Sequence, residues 1–220
     1  MKPLDIVYED DALVVLHKPS GLLAVPGKTS DECLSLQVQQ QFADALIVHR
    51  LDMATSGLMV MARGITMQRA LNQSFSERRV HKRYVAIVQG RCGDPVPEGS
   101  DGGWQLIDLP IIVDWPRRPL RIIDPVHGKP SQTRWRCVHT SATRDVSRLE
   151  LEPVTGRSHQ LRVHLQAMGH PILGDALYAP PDVAAASSRL LLHAQELAFH
   201  HPRTQAWVSF RVPDAFEAWP

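Results

Sequence analysis

The chain has 220 residues, 44% hydrophobic and 21% charged, enough to bury roughly 70% of its unfolded surface in one domain or two small ones. No stretch reaches the ~20 apolar residues of a membrane-spanning helix, the N-terminus has no apolar signal core, and the three cysteines (Cys33, Cys92, Cys137) are odd in number and far apart, which points to free thiols in a reducing cytoplasm. The net charge of +1 neither requires nor excludes a nucleic-acid partner.

Ala12 to Leu16 is a short apolar run and reads as a buried strand. Lys18-Pro19-Ser20-Gly21 ends it in what reads as a structural turn, and Pro26-Gly27 marks another. Glu32 to Phe42 is expected to be helical, Leu58 to Ala62 a strand, and Ile65 to Phe75 a helix with Ile65, Leu71 and Phe75 on one face. Tyr84 to Val88 reads as a strand. Residues 91–103 and 115–130 are rich in Gly and Pro and read as loops. Strands are expected at Thr133–Val138 and Val146–Leu151, the latter alternating Val146, Arg148 and Glu150 against Ser147, Leu149 and Leu151. An amphipathic helix is expected at Ser158–Met168, with Leu161, Leu165 and Met168 on one face and His159, Arg162 and Gln166 elsewhere. Leu190–Leu192 and Ala206–Val212 close the chain as strands. The pattern is mixed α+β, with hairpin-like neighbours more than βαβ repeats.

Two segments concentrate positive charge. Arg63, Arg69, Arg78, Arg79, Lys82 and Arg83 stand against Glu77; Arg117, Arg118, Arg121, Lys129, Arg134 and Arg136 stand against Asp124. They form either one basic face or two solvated surfaces that never meet. The sequence has no Gly-x-Ser-x-Gly elbow, no phosphate-cradling Gly-x-x-x-x-Gly-Lys-Ser/Thr loop and no Cys-x-x-Cys pair, and His159 and His164 are spaced off a common helical face. A metal site is not expected.

Asp52 stands out, an acid between Arg50 and a small-polar turn, Thr55-Ser56-Gly57, directly before an apolar run. Such a carboxylate either caps a turn or does chemistry. His49-Arg50-Leu51-Asp52 with Thr55-Ser56-Gly57, and Thr155-Gly156-Arg157-x-His159-Gln160-Leu161-Arg162-Val163-His164, resemble the two signature motifs of the RluA-type pseudouridine synthases. Tyr8 to Gly21 is similar to the family's first motif, Lys82-Arg83-Tyr84 to an intermediate one, and Leu192-His193-Ala194 to a C-terminal element. The resemblance runs from about residue 5 to 212.

It implies the pseudouridine synthase fold: a mixed, mostly antiparallel, bifurcated sheet flanked by helices and loops around a central catalytic cleft, here as one catalytic domain over residues 1–220. An N-terminal S4-type module is expected to be absent, because the chain starts almost directly with the first motif. The implied reaction isomerises uridine to pseudouridine within RNA and needs no cofactor, since no oxidation state changes. Asp52 is then the catalytic aspartate, acting either as a nucleophile on the sugar or as a base on its 2′ proton. Arg157 pairs with it and keeps it ionised. Tyr84 lies against a uracil that has left its stack. Arg50, His49 and Thr55 are expected at the substrate, Leu161 or Val163 walls the uracil pocket, and Arg117, Arg118 and Arg121 meet RNA.

Asp108-Leu109-Pro110 through Asp114-Trp115-Pro116, with Gly128-Lys129-Pro130 and Gln132-Thr133, resembles the family members that act on both a 23S ribosomal RNA stem-loop and the anticodon loop of certain tRNAs. Departures fall in Arg117 to Val126 and the Gly-rich loop at 99–103. A monomeric, cytoplasmic enzyme with RNA as its partner is the expectation. Rival readings are a synthase with a single RNA target and a non-catalytic RNA-binding module or chaperone, which has no need of Asp52, Tyr84 and Arg157 together.

Overall fold

A strand that alternates its side chains between two faces stays apolar at every step only if both faces are covered. The computed structural model, which describes residues 3–27, 30–97, 100–216 and 219, shows this for two apolar runs, 12–16 and 58–62. β1 (Ile6–Glu9) pairs antiparallel with β2 (Leu13–Lys18), α1 spans Leu34–Gln41, β3 Ala45–Ile47, β4 Ser56–Arg63 and α2 Ile65–Ser76. Leu13 and Val15 of β2 join Leu58, Val60 and Ala62 of β4 and Leu71 of α2 in one core. Val14 and Leu16 join Met59, Met61, and Leu34 and Val38 of α1 in another. One helix covers each face.

The chain divides into two compact units. The first holds residues 1–82 and 194–213, the second 83–193 and 214–220. The second unit takes most of β5 (His81–Gln89), then β6 (Gln105–Asp108), β7 (Ile111–Val113), β8 (Arg121–Ile123), β9 (Gln132–Thr140), β10 (Val146–Pro153), α3 (Gln160–Ala167) and α4 (Pro181–Ala185). The chain then returns to the first unit with β11 (Leu192–His200) and β12 (Trp207–Arg211).

In the first unit β4 pairs with three strands, β2, β3 and β11, so the sheet branches there, and β12 continues it beyond β11. In the second unit β5, β10, β9 and β6 run antiparallel in that order, while β7 and β8 form a separate hairpin. The architecture is α+β with mostly antiparallel strands, as the pattern of runs implied.

Three details depart from the sequence-based expectations. Ile65 is 52% exposed; the buried face of α2 is carried by Leu71, with Met67 and Phe75 packed against the same core. Six residues separate Ile65 from Leu71, which turns them far apart on a helix of 3.6 residues per turn. The Pro-rich stretch 115–130 contains a strand, β8, because its prolines lie outside the segment that pairs with β7. In β10 no face is left to water by alternation: Glu150 is as buried as Leu149 and Leu151.

Candidate active site

The Asp52 loop is built from its backbone. The Asp52 carbonyl accepts the Thr55 amide at 3.1 Å, a tight turn with Met53 and Ala54 at its tip. Leu51 and Thr55 are buried on either side, Asp52 is partly buried, and Arg50 and Met53 are exposed. The tip is tied to the end of β2. Lys18 is fully buried, and its ammonium donates to the carbonyls of Pro19 (2.8 Å), Leu22 (2.8 Å) and Met53 (3.1 Å). Ser20 donates its hydroxyl to the Ala54 carbonyl at 2.7 Å, and the Gly21 amide bonds the Met53 carbonyl at 2.8 Å. The turn read at Lys18–Gly21 is present, and its lysine clamps the acidic loop.

Where the loop enters β4, Gly57 adopts φ +117° opposite Lys18 in the strand register. A Cβ there would lie 2.2 Å from the Ala194 carbonyl oxygen, so β4 and β11 approach closely only because residue 57 has no side chain.

His49 supports the loop from beneath. Its Nε2 accepts the Val60 amide at 3.0 Å, and its ring stacks on Phe75 with centroids 4.7 Å apart. Burial, with the nearby Lys82 charge, lowers its pKa to about 3. It is therefore neutral, with the proton on Nδ1. Lys82 is itself lowered to about 8 by burial and by Arg78.

In the second unit the Arg157 turn hangs on one buried side chain, Gln160. Its carbonyl oxygen accepts the Thr155 hydroxyl (2.7 Å) and the Arg157 amide (3.0 Å). Its amide nitrogen donates to the Gln132 carbonyl (2.9 Å) and to Thr133 Oγ1 (3.0 Å). Thr133 in turn bonds His164 Nδ1 at 2.9 Å, and His164 Nε2 meets the Leu109 carbonyl at 2.9 Å. A carbonyl can only accept, so Nε2 carries the proton, Nδ1 accepts from Thr133, and the threonine oxygen accepts from Gln160. Burial lowers the His164 pKa, consistent with a neutral ring. Arg157 is exposed, with Nε and Nη2 each 3.3 Å from the Pro130 carbonyl.

Of the polar residues expected away from the apolar face of this helix, Arg162 is buried and His159, at the cap before α3, is partly buried, and both are paired; Gln166 is exposed. Arg162 makes a two-pronged ion pair with Asp175 (2.8 and 2.5 Å) beneath the Tyr178 ring. His159, at φ +59°, bonds the Tyr178 hydroxyl at 2.6 Å. That hydroxyl accepts the Arg121 amide at 3.0 Å, and burial raises its pKa to about 12. Val163 is packed with Ile111 and Tyr178, and Leu161 is also buried. Tyr84, half-buried, stands opposite Leu151 in β5 and β10.

The basic segments are partly neutralised. Arg136 is buried on Glu150 at 2.5 Å, and Arg83 and Arg134 share Glu152 at 3.0 and 2.8 Å; all three guanidiniums pack on the Trp104 ring. Arg117 pairs with Asp114 at 2.6 Å. Arg118 lies over Trp115, and Arg121 donates to the carbonyls of Pro119 and Leu120. Of the Gly-rich loop at 99–103, residue 99 lies outside the described residues.

An acidic loop clamped through main-chain carbonyls, and an arginine turn shaped by a buried glutamine, are what the two signature segments build. The family profile described as RNA pseudouridylate synthase matches residues 12–167, which include both. The chain belongs to the RNA pseudouridylate synthase family. It is 46% identical over 218 residues to a Vibrio vulnificus protein named dual-specificity RNA pseudouridine synthase RluA, covering 96% of this chain and 84% of that one. It is 45% identical over 215 residues to the Escherichia coli K12 protein of the same name, covering 97% and 94%. The structure is similar to human RNA pseudouridylate synthase domain containing 1, with a TM-score of 0.78, 30% identity, and coverage of 98% of this chain and 87% of that one. This pseudouridine synthase is an isomerase of uridine in RNA, and RNA is its substrate. No helix among its described residues is long and apolar enough to cross a membrane.

Proposed function

We propose that this pseudouridine synthase is dual in target, modifying a 23S ribosomal RNA stem-loop and a tRNA anticodon loop. The names of the relatives at 45–46% identity support this reading. Asp52 carries the chemistry, and the observation behind this is the clamp on its loop. The Asp52 turn is held in place by Lys18, Ser20 and Gly21 through the main-chain carbonyls of Met53 and Ala54. Arg157 of the second signature segment is its cationic partner in the reaction. Tyr84 lies against the extruded uracil, where stacking worth roughly 1–3 kcal/mol offsets part of the cost of leaving the RNA stack. The glycosidic bond from C1′ to N1 breaks, the base turns, and C1′ rejoins C5.

Arg50, exposed beside Asp52, meets the RNA directly. His49 and Thr55 act on substrate through the loop they support. Val163 is committed to its own core, which leaves Leu161 as the wall of the uracil pocket. Arg118 and Arg121 contact phosphates, joined by Arg117 at the same hairpin. The two units work as one catalytic domain, as a monomer in the cytoplasm, a compartment that the three buried free thiols suit.

The test is C5-tritium release from labelled tRNA and 23S fragments, with mapping of the modified position. Both RNAs should release tritium, and Asp52→Asn should lower turnover by at least about 10²-fold while RNA binding persists. Release from only one RNA would make this a single-target synthase. Undiminished turnover in Asp52→Asn would remove Asp52 from the chemistry.

A further inference from the structure

The hairpin of β7 and β8 displays a large aromatic side chain that the fold does not use. Trp115 is 64% exposed, with Ile122 and Val126 also open to solvent nearby in sequence. The Arg118 guanidinium carbon sits 4.6 Å from the Trp115 ring centroid and covers one face. Exposure of that extent leaves the other face to water.

The mount is rigid. Asp114 is buried and accepts the Arg117 Nε at 2.7 Å and Nη2 at 2.6 Å. The Asp114 amide bonds the Leu120 carbonyl at 3.1 Å, and the Leu120 amide bonds the Arg117 carbonyl at 3.0 Å. Beyond the turn, the Arg121 amide is fixed on the Tyr178 hydroxyl, and Leu120 and Ile123 pack against Ile111, Val163 and Tyr178. The indole is therefore held out on an ordered turn, and a ligand that lands on it does not have to order the turn first.

We propose that Trp115 is a stacking platform for an unpaired base of the RNA substrate, with Arg118 sandwiching the indole from behind and Arg121 nearby for the phosphates. The proposal rests on RNA being the substrate and names a contact for a base other than the target uracil. A flat π-face accepts any base, so the platform adds affinity without reading sequence. The chemistry favours a nucleobase over a protein partner because the ring is backed by a guanidinium and its neighbours in the turn are cationic.

The experiment uses the full chain and a tRNA anticodon stem-loop carrying 2-aminopurine at one loop position at a time, since stacking quenches this base. Trp115→Leu keeps an apolar side chain without an aromatic face, and Trp115→Phe restores one. Leu should weaken binding by about 5- to 150-fold, the equivalent of 1–3 kcal/mol, without changing the salt dependence, and Phe should recover most of it. One loop position should be quenched by the wild type and not by the Leu variant. Equal binding by all three proteins, or quenching at no position that depends on residue 115, would overturn the platform. Loss of self-association in Trp115→Leu, seen by sedimentation without RNA, would overturn it in favour of a second copy of the chain. Both readouts are binding measurements, so they stand even if the stem-loop is not modified and the proposed tRNA target fails.

Discussion

Lys18 shows how a single side chain can organise a catalytic loop without touching the chemistry. Burying an ammonium costs several kcal/mol unless its donors are used, and Lys18 meets three carbonyls. Lys18→Met should lower unfolding stability by about 2–4 kcal/mol, because those carbonyls lose their donor in a buried place. Urea unfolding checks the stability; tritium release should fall further than RNA binding, since the loop loosens while the binding surface remains. Unchanged stability would make the clamp incidental. Asp52, Tyr84 and Arg157 could be picked out from residue types in a recognisable order. Lys18 read only as part of a turn, because its partners are main-chain oxygens, one of them 35 residues away, and these leave no mark on the side-chain pattern. Gln160 was hidden for a similar reason: three of its four partners lie in residues 132, 133 and 155, in strands and turns apart from its helix.

At the scale of elements, the runs covered on both faces were legible, since a strand such as β4 that is apolar at each step has one simple explanation. The hairpin β7–β8 was not, because three-residue strands between prolines carry too few side chains to show a period. The helix α3 was legible as a helix but not in its burial: Arg162 and His164 are polar in sequence and lie inside the second unit, paired with Asp175 and Thr133. Arg134 and Arg136 of the second basic segment were likewise illegible as neutralised, since Glu152 and Glu150 come from the neighbouring strand β10. The tightest constraint between elements is Gly57. Gly57→Ala should destabilise the first unit by more than about 2 kcal/mol, because the new methyl group overlaps the Ala194 carbonyl and φ is positive. Thermal unfolding measures this, and a variant with wild-type stability would mean that β4 and β11 have room to part.

For the molecule as a whole, acid should be a sharper threat than base near neutrality. The folded-state pKa of His49 is about 3 and that of His164 is also lowered, both below the ordinary value of 6.5. Protons therefore prefer the unfolded chain. The contribution is fully present above pH 6.5 and is lost as pH falls toward 3. Between pH 6.5 and 5, His49 alone should remove about 1–2 kcal/mol of stability. His49→Gln keeps an acceptor for Val60 and cannot titrate, so its stability should vary less over that range; an identical pH profile would refute the assignment. RNA affinity should fall with salt, and neutralising Arg118 and Arg121 together should lower the log–log slope by about 0.7–0.9 for each phosphate that the protein no longer neutralises. Arg117 should contribute less, because Asp114 already holds it. An unchanged slope would move the RNA away from this hairpin. The division of the chain has a further consequence, for its synthesis. The first unit needs both residues 1–82 and 194–213, and β11 lies between β4 and β12 in its sheet. A ribosome therefore releases β4 long before the strand that shields its edge, and the nascent first unit must wait with an open strand edge until nearly the whole chain has emerged.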